Sequence, residues 1–130
     1  AMEKQHGLAI PQEREGFIAH LPQVLAAWAE GEIDDAPESW SDFETRTQAA
    51  LSEIAAGEGP ALVVTSGGLI SMAMRQAMML EITGMARMAL AIMNTSMHRL
   101  FPIGGHWSPV LFNAVPHLET PDRHFAQTHL

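Results

Sequence analysis

Ser66 stands between the apolar run Ala61-Leu62-Val63-Val64, with Thr65 intervening, and the pair Gly67-Gly68. A hydroxyl at such a junction can attack an electrophilic centre or donate one hydrogen bond to an anion. The nucleophile elbow of serine hydrolases requires Gly-x-Ser-x-Gly. Here Gly68 is in place, but Val64 occupies the position two before Ser66. The first glycine of an elbow relieves crowding at a strained turn, so Val64 argues against that chemistry. Gly67 and Gly68 instead let backbone approach a ligand closely. A helix beginning there offers unpaired N–H groups and a positive dipole end to an anion. Ser66, Gly67 and Gly68 are therefore the candidate anion-binding residues.

Other residue types that could do chemistry are less well arranged. There are seven histidines, and His117, His124 and His129 lie 7 and 5 positions apart. None forms a His-x-x-x-His or Glu-x-x-His pair with supporting carboxylates, so no metal site is expected. Asp34 and Asp35 sit in an acidic, Pro-containing loop, Glu30 to Glu38, which reads as a solvated connection. Eight of the nine methionines fall between Met72 and Met97. Methionine at helical spacing fills cores. A Met-rich binding surface is the other reading, and it requires that helix to be exposed.

Composition narrows the classes. A chain of 130 residues is one domain at most, and 47% hydrophobic residues suffice for a core. The formal charge of −8, with seven scattered Lys and Arg, excludes a nucleic-acid surface. No cysteine means no disulfide and no thiolate ligand, as is usual in the cytoplasm. No apolar run is long enough to cross a membrane, because Arg75, Glu81 and Arg87 interrupt the longest stretches.

The elements that must position Ser66 follow from periodicity. Residues 1–9 read as a loose lead-in. Pro11 suits a first helical turn, with Glu13 and Glu15 near its positive end. Phe17, Ile18, Leu21, Val24, Leu25 and Trp28 form an amphipathic stripe that Pro22 should kink or restart and Gly31 should end. Ser41 and Glu44 make a capping box with Trp40 as staple, predicting a second helix to Gly57. Ala61 to Thr65 reads as a strand buried on both faces, because its apolar run is continuous. It leads through the Gly67-Gly68 turn into a mostly buried helix, and Ser66 is then expected at the strand's carboxyl end, facing a cleft. Ile82 to Leu90 predicts a further helix with Thr83 as cap. Alternation from Ile92 to Phe101, the turn Pro102-Ile103-Gly104-Gly105, and Trp107 to Val115 predict a hairpin. The tail from Pro116 is expected to be irregular.

This order of elements resembles the C-terminal part of the histidine phosphatase superfamily, which includes the phosphoglycerate mutase-like enzymes. The resemblance rests on Val63-Val64-Thr65-Ser66-Gly67-Gly68, Asn94-Thr95-Ser96-Met97-His98-Arg99-Leu100, and Leu111 to Glu119, and covers roughly residues 41–119. The last two segments resemble one bacterial branch in particular. The resemblance implies an α/β fold, here a partial three-layer sandwich with a buried strand 61–65, a C-terminal hairpin and flanking helices. All of residues 1–130 would be one part of one domain.

Two departures shape what the resemblance implies. Family members open with a strand ending Arg-His-Gly, whose His takes up the phosphoryl group. Gln5-His6-Gly7 has only the letters His-Gly and no apolar strand before it, so His6 is rejected as nucleophile. The N-terminal half is expected to be missing from this chain, which alone should be inactive. The second departure is Ser66, where the family usually has His. A serine can still donate to a phosphoryl oxygen but brings no positive charge. The implied function is phosphomonoester hydrolysis through phosphohistidine, or mutase chemistry, by the complete protein. Ser66 would serve catalysis as a phosphate donor, and no cofactor is implied. The implied partners are a small phosphorylated substrate and either the missing half or a second copy of the chain. The alternative is a catalytically inactive module that binds a phosphorylated ligand.

Overall fold

The computed structural model describes residues 14–129: four helices, one hairpin and two short 3-10 turns. The lead-in, Pro11, Glu13 and Gln5-His6-Gly7 lie outside the described residues. Helix α1 (Arg14–Ala29) continues through Pro22 rather than restarting there. Helix α2 (Trp40–Ala55) begins two residues earlier than the expected capping box. Its N-cap is Ser39, whose hydroxyl accepts a 3.0 Å hydrogen bond from the Asp42 N–H. Trp40, expected as a staple outside the helix, is its first residue and is buried, which fixes the helix start by packing. Helix α3 (Gly67–Met78) and helix α4 (Ile82–Ala91) follow, the latter capped by Glu81 in place of Thr83 and without a side-chain bond.

The core lies where these helices meet. Trp40 and Phe43 from α2, Met72 from α3 and Met85 from α4 form its centre, with Leu25 and Trp28 of α1 packed against them. The Trp28 ring stacks on Phe43 at 5.4 Å and meets Trp40 edge-on at 5.3 Å. Aromatic pairs in these geometries add stabilisation beyond the area they bury. Met72 and Met74 of α3 and Met85 of α4 are almost completely buried and fill the core, whereas Met78 at the end of α3 is 38% exposed.

Helix α3 ends in a left-handed residue. Met79 has φ +54, and the Leu80 N–H reaches back to the Arg75 carbonyl at 3.0 Å. Glycine is the usual occupant of this position because a Cβ is strained there. Met79 is 90% exposed and forfeits no packing on truncation. Met79→Gly should therefore raise unfolding stability by about 1 kcal/mol, read from the denaturation midpoint.

Strand β1 (Met97–Ile103) pairs antiparallel with β2 (His106–Ala114) through Gly104-Gly105, both at positive φ as a tight two-residue turn requires. The hairpin packs on α3 through β2. Its ladder is irregular. Met97 pairs with Ala114 and Arg99 with Leu111, so His98 opposes both Phe112 and Asn113 in a β-bulge. No helix among the described residues is long and apolar enough to cross a membrane.

The buried strand expected at 61–65 is corrected. Residues 61–66 form no strand, and Leu62 and Val64 are 93% and 90% exposed. The two strands of the sheet pair with each other, and no described strand runs beside this segment. An apolar run becomes an interior strand only when neighbours accept its backbone groups and layers cover both its faces. The mixed α/β class, the hairpin and the helices around it are as expected.

Candidate functional site

Ser66 occupies the N-cap of α3 with extended backbone, φ −103 and ψ 165. Its carbonyl accepts the first helical bond, from the Ile70 N–H at 3.1 Å. Its side chain makes no capping bond and is exposed. A serine at an N-cap ordinarily satisfies one of the free N–H groups of the first turn. Here the hydroxyl leaves them free, so a hydroxyl and several backbone donors sit together at the positive end of a helix. A Cβ on Gly68 would meet nothing within 4 Å. The helix itself makes no steric demand for glycine there, and space in front of the turn is open. Behind it, the buried Ser71 hydroxyl donates to the Gly68 carbonyl at 2.8 Å and steadies the turn.

Ser66 lines neither of two grooves found among the described residues. One, of about 420 Å³, is lined by Glu44, Gln48, Arg75, Gln76, Met79 and Leu80. Its charges answer one another, since Arg75 bonds Glu44 at 3.1 Å and lies over the Trp40 ring. The other, of about 600 Å³, runs between Trp28 and the acidic loop at Asp35 to Glu38. There the Trp28 indole N–H donates to the Glu38 carbonyl at 2.8 Å, and the Glu38 carboxylate takes a two-pronged bond from Arg46. That bond holds the Glu38 carboxyl below its ordinary pKa. Neither groove holds a nucleophile beside a base.

A second polar constellation escaped sequence reasoning. Ser96 Oγ lies 2.9 Å from His98 Nε2, the spacing of a nucleophile and its base. The other ring nitrogen decides its chemistry. His98 Nδ1 accepts the Asn113 N–H at 3.1 Å, so the neutral ring carries its proton on Nε2 and donates to Ser96. A ring in this tautomer cannot take a proton from serine, and the pair is structural. Asn113, left-handed at φ +59, completes the knot. Its Oδ1 accepts the Met93 N–H at 2.8 Å and its Nδ2 donates to the Ala91 carbonyl at 2.7 Å. The sequence signal was the Asn94–Leu100 and Phe112–His117 segments, whose letters stood out without revealing that they bond one another.

His117 and His129 have partners of their own. Thr95 Oγ1 lies 3.0 Å from His117 Nε2 at the surface, and His129 bridges backbone with Met93. No group of three metal-ligating side chains occurs among the described residues.

The family model of the histidine phosphatase superfamily (branch 1) matches residues 2–115. That span contains the Ser66 turn, all four helices and the hairpin. No curated protein and no solved structure matches the chain significantly.

Proposed function

The chain belongs to the histidine phosphatase superfamily, branch 1, and from that premise we propose that it supplies the Ser66-Gly67-Gly68 side of a phosphate pocket. The complete protein would hydrolyse a small phosphomonoester. A histidine nitrogen attacks phosphorus, the P–O bond to the leaving alcohol breaks, and the alcohol departs protonated. Water then cleaves the P–N bond and releases phosphate. The 130 residues contain no Arg-His-Gly, so the proposed nucleophile comes from a further polypeptide segment, with its arginine supplying positive charge.

The observation carrying this reading is the free hydroxyl of Ser66 at an N-cap beside open space at Gly68. Phosphoryl transfer needs positioning and charge stabilisation more than covalent help, and oriented N–H and O–H donors provide part of both. The absence of cysteine suits a cytoplasmic setting, and none of the steps requires a cofactor. The missing Arg-His-Gly favours a second reading, a module that binds a phosphorylated ligand without turning it over.

The test is made on p-nitrophenyl phosphate with the protein joined to its Arg-His-Gly segment. Ser66→Ala should lower turnover about tenfold with the circular dichroism spectrum unchanged, the size of one hydrogen bond to a charged group. Gly68→Ala should leave stability equal or slightly higher while weakening inhibition by inorganic phosphate. Full turnover in Ser66→Ala would make the hydroxyl a bystander. Phosphate binding without turnover in the joined protein would favour the second reading.

A further inference from the structure

The bulge opposite His98 is closed by a bond that depends on the ring's protonation state. Because β2 carries two residues against one, the Asn113 N–H has left the ladder, and His98 Nδ1 receives it at 3.1 Å. Asn113 then reaches out in both directions along the preceding chain. Its side chain bonds the last carbonyl of α4, at Ala91, and the N–H of Met93, where the turn into β1 begins. The turn is fastened further by the tail. The Asn94 N–H donates to the Thr128 carbonyl at 2.8 Å, and the Asn94 carboxamide donates to the Thr128 hydroxyl at 2.9 Å. One imidazole lone pair thus orients the residue that joins α4, the turn and β2.

We propose that His98 is a proton-operated latch: neutral, its Nδ1 holds Asn113 in place, and protonated, it releases Asn113 and loosens the 91–96 connection from β2. A proton on Nδ1 sets two N–H donors against each other, and a backbone amide cannot reverse its role. The bond to Ser96 survives, since Nε2 remains a donor in both states. His117 is no second sensor, because the Thr95 hydroxyl can donate to a neutral ring or accept from a charged one.

The surroundings of His98 favour the neutral ring. It is half-buried, its ring lies 5.0 Å from that of Phe112, and Ser96, Phe112 and Asn113 are uncharged. Arg99 on its own strand, His106 on β2, and His117, Glu119 and His129 beyond it are all exposed. Helix α3, packed on β2, brings one charged group, Arg75, which is engaged by Glu44. Burial lowers the His98 pKa below its ordinary 6.5. The native state therefore resists a proton that the unfolded chain accepts. Stability contributed by the neutral ring is fully present above about pH 6.5 and is lost as pH falls through the lowered native pKa.

Amide hydrogen exchange of the full chain, corrected for intrinsic rates at pH 7.5 and pH 5.0, tests the latch. Protection of the Met93 and Asn113 amides should fall about tenfold relative to the core amide of Thr47 at the lower pH. His98→Asn places a carbonyl oxygen that does not titrate near the position of Nδ1, and should abolish that pH dependence. His117→Asn should preserve it. Equal relative protection at both pH values in the wild type, or a pH dependence surviving in His98→Asn, would overturn the latch. If His98→Asn does not fold, nitrogen NMR of the wild-type imidazole decides. The proposal requires an Nε2–H ring at pH 7.5 whose titration midpoint coincides with the loss of Met93 protection, and separate midpoints would refute it.

Discussion

Asn113→Ala is expected to lower unfolding stability by about 3 kcal/mol. The change deletes both side-chain bonds of the knot, leaving the Met93 N–H and the Ala91 carbonyl without their partner. Each bond contributes about 1 kcal/mol. It also places alanine at φ +59, where the left-handed backbone costs an L-residue roughly another 1 kcal/mol that asparagine tolerates better. Asn113→Gly separates the two effects. It removes the same bonds but accepts the backbone, and should lose about 2 kcal/mol. Urea denaturation at pH 7.5 with matched slopes measures both. Equal losses for alanine and glycine would show that the backbone at this position carries no strain, and a negligible loss for both would show that the knot contributes nothing.

The size of that effect follows from where Asn113 sits. The four helices share an aromatic and methionine core, whereas the hairpin leaves Phe101 and Ile103 more than half exposed. Apolar burial alone therefore holds the hairpin weakly, and hydrogen bonds from single side chains carry more of its attachment. A connection of this kind opens locally at lower cost than the core does. It suits a proton-dependent latch for that reason, and it connects through β2 to the helix whose first turn presents Ser66.

Helices were legible in the sequence because their signals are local. The stripe ending at Trp28, the small and sulfur-containing residues of α3, and the Gly104-Gly105 turn each carry their own reason for folding. The α2 start was misplaced because Ser39 and Ser41 are both competent caps, and the burial of Trp40, a tertiary fact, chose between them. The strand at 61–65 was misread for a deeper reason. Leu62, Val63 and Val64 state that this segment is built to be interior, but a strand exists only with a partner, and partners are non-local. Ser66 follows that segment at the N-cap of α3 rather than at the end of a strand, because the strand itself does not form. The Asn113–His98 pairing was hidden because a bulge and a left-handed asparagine leave no periodic trace.

The largest expected effect concerns that exposed segment. Among the described residues, 61–65 donate to no backbone partner, and Leu62 and Val64 are almost fully exposed at the threshold of the Ser66 turn. A polypeptide bearing an apolar strand that ends Arg-His-Gly, joined in cis or added separately, should pair there, because unpaired edges recruit strands and burial of Leu62 and Val64 stabilises the pairing. Two readouts should move together. The Leu62 to Thr65 amides, expected to exchange freely in this chain alone, should become protected by on the order of 10³-fold or more, as in an interior strand. Turnover of p-nitrophenyl phosphate, expected to be absent with the 130 residues alone, should appear. On the proposed reading the 130 residues should fall short of the joined protein by on the order of 10⁶, the scale on which nucleophile deletions act in enzymes whose residues work as a unit. Changing the histidine of Arg-His-Gly to alanine in the added polypeptide should abolish turnover and leave the protection intact. Turnover by this chain alone would overturn the assignment of the nucleophile to another segment. Restored turnover with residues 62–65 still unprotected would show that the pocket is completed without a strand at this edge.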